Sequence, residues 1–261
     1  MSATNLAKPL LSVEGINKRF GSTLACDDIS FDLWPGEILG IVGESGSGKT
    51  TLLRSIAGLS EPDAGKISFS HEGQLLRVDQ MEEPALRRLQ RTEWAFVHQH
   101  ARDGLRMNVS AGSNIGERLM ANDWRHYGNI RTEALKWLKA VEISADRIDD
   151  LPRTFSGGMQ QRLQIARNLV TRPKLVFMDE PTGGLDVSVQ ARLLDLIRGL
   201  ARDLGLSAII VTHDLAVARL LSTRMMVMRH GEVIEHGLTD QILEDPQAPY
   251  SQLLVSSVLQ V

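Results

Sequence analysis

Short apolar runs alternate with helical stretches along most of this chain. Ile38 to Val42, Leu175 to Met178 and Ala208 to Val211 are continuous apolar runs of strand length. Such runs suit strands buried on both faces of a sheet. Helices are predicted over Met159 to Val170 and over Val189 to Leu204, the latter with Leu193, Leu194, Ile197 and Leu200 on one face. A further helix, from Lys49 to Ala57, stops at Gly58, a residue suited to a helix C-terminus. This alternation predicts a parallel-sheet α/β core.

The flanks read differently. Leu10 to Val13, Ile29 to Leu33 and Lys66 to Ser70 predict strands, with turns at Phe20-Gly21-Ser22 and Trp34-Pro35-Gly36-Glu37. Met225 to Arg229 and Glu232 to His236 flank His230-Gly231, a hairpin signal. From about Met81 to Pro152 the chain is more polar. Arg87, Arg88, Arg91 and Glu93 make its start highly charged, Trp94 to Val97 predicts a strand, and Arg131 to Glu142 a helix with Leu135, Leu138 and Val141 on one face. This segment reads as a mainly helical insertion. One domain over 1–261 is expected: a core from 10–85 and 155–245, an insertion over about 86–153, and a tail over 246–261. Leu253-Leu254-Val255 in that tail predicts a packed helix.

Composition narrows the classes. The 261 residues are 43% hydrophobic, enough for a substantial core. A net charge of −3 gives no broad positive field for nucleic acid. The single cysteine, Cys26, excludes an intrachain disulfide and a four-cysteine iron–sulfur cluster, and fits a reducing compartment. Met1 to Pro9 has no secretory pattern, and no apolar run is long enough for a bilayer. A soluble, cytoplasmic protein is expected; any membrane role would need other subunits.

The chemistry is concentrated in a few short motifs. Gly43, Glu44, Ser45, Gly46, Ser47, Gly48, Lys49 and Thr50 complete the pattern G-x-x-x-x-G-K-[ST], after a predicted strand and before a predicted helix. The glycines let backbone amides wrap a β-phosphate. Lys49 supplies charge to the β- and γ-phosphates, Thr50 a hydroxyl to Mg2+, and Thr51 can reach an α-phosphate. The Leu175 run ends in Asp179 and Glu180. Asp179 suits Mg2+ held through water, and Glu180 suits orienting or deprotonating an attacking water. His213, after the Ala208 run, either contacts the γ-phosphate or is a structural strand-end residue. Gln99 can bind Mg2+ or the water and report nucleotide state to the insertion. His98 and His100 flank it and read as packing or solvated residues, since no further ligand spacing accompanies them. Phe20 either stacks on adenine or ends its strand half-buried.

Phe155-Ser156-Gly157-Gly158-Met159-Gln160-Gln161-Arg162 is a second glycine-rich turn. Ser156, Gly157 and Gly158 before a helix make an anion site, because free amides and the helix dipole point the same way. The bland alternative is a turn that merely starts a buried helix. Two phosphate-binding elements in one chain suggest that each copy completes its neighbour's site.

Taken together, these motifs resemble those of the ATP-binding-cassette ATPases over about Leu10 to Tyr250. The resemblance implies the P-loop NTPase fold of that family, with a parallel-sheet core, an antiparallel β subdomain and a helical insertion. It implies that Phe20 stacks on adenine, that 43–50 is the Walker A loop, Gln99 the Q-loop residue, Asp179 and Glu180 the Walker B acids, Gly183-Gly184-Leu185-Asp186 the D-loop and His213 the switch histidine. Ser156-Gly157-Gly158 matches the family signature, with Phe155 and Met159 in place of the commoner Leu and Gln. The family also implies a head-to-tail dimer of two copies around two ATP molecules.

Two branches are similar. Leu185 to Ala191 and Pro246-Gln247-Ala248-Pro249-Tyr250 resemble the dipeptide and oligopeptide importers, a branch that usually carries cysteines absent here. Arg91 to Trp94, Val97 to His100, Asp103 to Arg106, Asn114 to Met120, Arg125 to Gly128, Ile148 to Pro152 and Pro181 to Asp186 resemble the K-subunit family of bacterial carbon–phosphorus (C–P) lyase systems. That resemblance implies an ATPase docked on soluble C–P lyase core subunits, with a second ABC-type subunit as a further partner. The alternative is the ATP-binding subunit of a phosphonate or peptide importer, with 102–117 facing a permease. A non-hydrolysing clamp fits poorly with Lys49, Glu180 and His213 all present.

Overall fold

The computed structural model describes residues 8–258. Residues 1–7, most of the stretch read for a leader, and 259–261, the end of the predicted tail, lie outside the described residues. The strands are β1 (Leu11–Phe20), β2 (Thr23–Leu33), β3 (Ile38–Val42), β4 (Ala64–His71), β5 (Gln74–Arg77), β6 (Trp94–Val97), β7 (Leu175–Asp179), β8 (Ser207–Thr212), β9 (Arg224–Arg229) and β10 (Glu232–Leu238). The helices are α1 (Lys49–Ile56), α2 (Glu83–Thr92), α3 (Ala101–Gly104), α4 (Ala111–Ala121), α5 (Tyr127–Ala140), α6 (Gly157–Leu169), α7 (Val187–Leu204), α8 (Leu215–Leu221), α9 (Thr239–Glu244) and α10 (Pro249–Val258).

Two sheets form. The first is antiparallel, in the order β2-β1-β4-β5, and the second has the order β10-β9-β3-β8-β7-β6. In the second, β9-β3-β8-β7-β6 pair in parallel and β10 closes one side as an antiparallel hairpin strand. The continuous apolar runs feed both of its faces, because side chains alternate along each strand. Leu39, Ile41, Leu175, Phe177, Ile209 and Val211 join the core shared with β1, β2, β4 and α1. Val176, Met178, Ala208 and Ile210 point the other way, into the core built with α4, α5, α6 and α7.

Trp94 joins the sheets. It is 1% exposed, and its ring meets Phe69 of β4 edge-on at 5.3 Å and Phe177 of β7 edge-on at 5.2 Å. Edge-to-face contact suits the ring quadrupoles and adds to the burial of three large side chains.

Local structure departs from expectation in several places. β1 runs on to Phe20 and β2 starts at Thr23, since the hairpin pairs from Leu11 opposite Leu33 to Phe20 opposite Thr23. Its outer half mixes Lys18 and Arg19 with Leu24, Ala25 and Cys26 and gives no regular alternation. The α5 helix begins at Tyr127, where the His126 ring accepts the Asn129 N–H. Helices α2 and α4 fall in the segment that reads as mainly helical, although the sequence pattern places neither one. In α2 only Leu89 is buried, with Leu86 half-buried one turn before it, so two leucines in a charged run make up its whole apolar face. In α4 the buried Asn114 breaks the pattern: its amide nitrogen donates to the carbonyls of Arg106, Val109 and Ser110, and its oxygen accepts the Arg106 N–H. It fastens the preceding loop to the helix. Among the described residues no helix is long and apolar enough to cross a membrane.

Replacing Trp94 by Ala should cost about 3–5 kcal/mol of stability, as for other large buried aromatics, and Trp94→Phe should cost less. Urea midpoints of the two variants check this ordering.

Candidate nucleotide site

The strand order assembles the site. Strand β8 lies between β3 and β7, and β6 lies beyond β7. Val42 stands opposite Thr212, Asp179 opposite Val211, and Val97 opposite Met178. The carboxyl ends of four strands therefore stop at nearly the same level. This is where open α/β sheets bind ligands, beyond the strand ends. The segments leaving these strands carry the loop 43–48, Gln99, Glu180 and His213.

The loop after β3 is held by its neighbours. Gly48 has φ 101°, and a side chain there would meet the Ala25 carbonyl of β2 at 2.0 Å; one at Gly43 would meet the Met228 carbonyl of β9 at 2.2 Å. Both positions need glycine for close backbone approach. Gly231 donates its N–H to the Ser47 carbonyl at 3.0 Å and accepts the Asp27 N–H at 2.9 Å. The β9–β10 turn thus bridges the loop and β2. Gly46 and Ser45 stay at the open side of this loop.

Lys49 is buried. Its ammonium donates to the Gly43 carbonyl at 2.8 Å, the Glu44 carbonyl at 2.7 Å and the Ser47 hydroxyl at 3.2 Å. Burial pushes its pKa down, while Glu180, Asp179 and Glu44 oppose that. Thr50 donates its hydroxyl to Asp179 Oδ1 at 2.8 Å. The Asp179 carboxyl is pushed up by burial and by the nearby Glu180, against the lowering effect of the Thr50 bond. Thr51 follows in the first turn of α1.

Glu180 has φ 43°, a left-handed conformation that costs a non-glycine residue energy and is held by its N–H bond to the Val211 carbonyl at 2.8 Å. One carboxylate oxygen accepts Gln99 Nε2 at 3.1 Å, and the other meets His213 Nδ1 at 3.0 Å. Gln99, Glu180 and His213 thus form one polar group around the carboxylate. A carboxylate flanked by an amide and an imidazole can hold and deprotonate a water. Phe20 is 56% exposed at the end of β1, beyond the Ala25 contact with Gly48, and Lys18 Nζ lies 5.5 Å from its ring centroid. Its exposed ring can stack on a base.

The second glycine turn lies elsewhere. Ser156 caps α6 by accepting the Met159 N–H, leaving Ser156 and Gly157 exposed. A side chain at Gly158 would lie 2.5 Å from Val189 of α7. Phe155 is buried beneath the Arg147 guanidinium, 4.5 Å from its ring centroid. Among the described residues no hydrogen bond joins 156–158 to 43–51. Within one chain the two glycine turns are therefore not linked directly.

Several residues missed in the sequence complete the arrangement. Gln164 of α6 accepts the His98 N–H at 2.6 Å and donates to the His98 carbonyl at 3.1 Å; Gln161 donates to that carbonyl too, at 3.2 Å. Two buried amides on the glycine-turn helix therefore hold the backbone next to Gln99. The signal was present as glutamines at helical spacing after the glycines. The His98 ring packs at 4.7 Å from Phe96, and burial lowers its pKa. Asp214 caps α8 and accepts Gln190 Nε2 of α7 at 3.1 Å, so α7 is tied to the residue after His213.

The oxygen donors of Thr50 and Asp179 suit Mg2+, which favours one carboxylate with hydroxyl, water and phosphate oxygens. Among the described residues no group of three His, Cys, Asp or Glu could hold a metal without such added ligands.

Comparison with known proteins decides the family. The sequence profile of the ABC transporter family matches residues 26–183. The chain belongs to this family of ATP-binding cassettes. The cassette is 65% identical over 253 residues to PhnK of Escherichia coli (strain K12), by name a phosphonates utilization ATP-binding protein, covering 97% of this chain and 99% of that one. It is 37% identical to the dipeptide transport ATP-binding protein DppF of the same organism, covering 89% of this chain and 68% of DppF. A solved dimer of the cassette MJ0796, in a post-hydrolysis state with ADP and Pi, superposes with TM-score 0.77 at 28% identity, over 88% of this chain and 98% of that one. The fold is that of the ABC ATPases, and the cassette is an ATP hydrolase.

Burial sets the sign of one pH effect. Asp179 holds its proton more tightly in the folded chain than at its ordinary value of 3.8. Stability it lends the apoprotein below that pH is lost as the pH rises through the raised value. Asp179→Asn should therefore raise the apoprotein's unfolding temperature by a few degrees near neutral pH. The gain should vanish in acid, where both side chains are neutral. Thermal melts across pH without nucleotide or metal test this.

Proposed function

We propose that this cassette is the ATP-binding and ATP-hydrolysing subunit of a C–P lyase system, acting as a head-to-tail dimer that remodels a soluble core complex during phosphonate breakdown. The observation that carries this reading is the 65% identity to PhnK across nearly the full length of both chains, against 37% to DppF. The importer reading keeps support from that second relationship. It makes the chain the ATP-binding subunit for phosphonates or peptides, and only this reading needs a membrane partner. In the C–P lyase reading the protein works in the cytoplasm.

Each site residue takes a role that its position supports. The amides of 43–50 and the Lys49 ammonium hold the β- and γ-phosphates, Thr51 reaches the α-phosphate, and Phe20 stacks on adenine. Thr50 and Asp179 hold Mg2+, with Gln99 able to join them. When bound, the metal supplies positive charge to the phosphate oxygens. Glu180 takes a proton from the attacking water at its carboxylate, Gln99 positions that water, and His213 orients Glu180 and meets the γ-phosphate. Ser156, Gly157 and Gly158 face the phosphates of a second copy, because the two glycine turns of one chain are not linked directly. ATP binds the closed pair best and so shifts the population toward it.

Glu180→Gln should keep ATP binding, lower turnover by at least about a hundredfold and accumulate an ATP-bound dimer on size-exclusion chromatography. Wild-type turnover would remove Glu180 as the base. A pull-down from a phosphonate-grown cell extract made without detergent should recover soluble phosphonate-processing proteins. Recovery of membrane proteins alone would instead establish the importer reading.

A further inference from the structure

The Pro246–Tyr250 stretch has no part in the site described so far, yet it reaches the phosphate loop. Tyr250, in the first turn of α10, is 6% exposed. Its phenol oxygen accepts the Glu44 N–H at 3.2 Å. Glu44 is the second residue of the loop, and its carbonyl is one of the three acceptors of the Lys49 ammonium. A single peptide, Gly43–Glu44, therefore joins the tail to the buried lysine: its N–H, from Glu44, meets Tyr250 and its carbonyl, from Gly43, accepts from Lys49.

The tail is itself anchored. Gln247 and Ala248 donate their N–H groups to the Glu235 carboxylate of β10 at 2.9 and 3.0 Å. Burial alone would push that carboxyl up, but the amide bonds hold it below its ordinary value. The Tyr250 ring packs with Val42, Met225 and Val227, and the Arg229 guanidinium lies 4.8 Å from its centroid. A cation over an aromatic face, with burial beneath it, fixes the ring and so the phenol. Both anchors stand on the β9–β10 hairpin, whose Gly231 also holds Ser47. The loop is thus braced by one hairpin at two places, directly through Gly231 and through the tail by Tyr250.

We propose that Tyr250 is a positioning residue for ATP binding: its phenol holds the Glu44 peptide, and through it the start of the phosphate loop, in the conformation that receives the nucleotide. The proposal rests on loop 43–50 being the nucleotide cradle. The phenol touches neither phosphate nor the reacting water, so its effect falls on binding and leaves the chemical step alone.

The test compares Tyr250→Phe, Lys49→Ala and the wild-type full chain by steady-state ATPase kinetics, equilibrium ATP binding and thermal melting without nucleotide. Tyr250→Phe keeps the ring's packing and loses one hydrogen bond. A single neutral hydrogen bond corresponds to roughly a two- to tenfold change in an equilibrium constant. KM for ATP should rise by about that factor, with kcat within about twofold. An unchanged KM overturns the proposal, as does a fall in kcat with KM constant. A lowered melting temperature with unchanged KM would make Tyr250 a packing residue only. Lys49→Ala separates the underlying reading: if that variant binds ATP as the wild type does, the loop is not the cradle and both conclusions fall.

Discussion

The buried ammonium of Lys49 is the constraint around which the rest of the molecule is arranged. Taking a charge out of water is costly unless acceptors and counter-charges replace the water. The loop supplies two carbonyls and a hydroxyl as acceptors, and the ends of the neighbouring strands bring Asp179 and Glu180 near. Those carbonyls can turn inward only because Gly43 and Gly48 let the backbone press against Met228 and Ala25. The glycines, the sheet order and the acidic strand ends thus answer one electrostatic demand.

The same arrangement puts the two acids of the site under constraint. Asp179 and Glu180 are adjacent in the chain, and burial works against ionisation of Asp179. Glu180 sits in a left-handed conformation, with its carboxylate shared between Gln99 and His213. Such strain survives where surrounding bonds over-determine the geometry. Here the sheet supplies them through the Val211 carbonyl. Further out, Gln161 and Gln164 tie the glycine-turn helix to His98, and Gln190 ties α7 to Asp214. The glycine-turn helix and α7 are therefore tied by hydrogen bonds to His98 and Asp214, the chain neighbours of the two residues that hold Glu180.

Much of the fold and site could be read from the chain because its strongest signals are local. A strand buried on both faces must be apolar throughout, so β3, β7 and β8 stood out. A phosphate loop must have its glycines and lysine at fixed spacing. Helices α2 and α4 were hidden for the opposite reason: α2 buries little, and α4 is organised around the buried polar Asn114. The outer half of the β1–β2 hairpin is likewise held by backbone pairing, which leaves no mark on the hydrophobic pattern.

By itself, the sequence determined the alternation of elements, the loop 43–50 with its lysine, the acidic end of β7 and the presence of a second glycine turn. Each of these depends on neighbours along the chain. Tertiary structure decided which of them meet. Placing β8 between β3 and β7 brings Thr50 to Asp179 and Glu180 to His213 across long separations in sequence, and β6 beside β7 adds Gln99. It also set Ser156-Gly157-Gly158 against α7, not linked directly to its own chain's loop, and carried Tyr250 back to Glu44. Strand order and register are properties of the whole sheet, and no local pattern of residues encodes them.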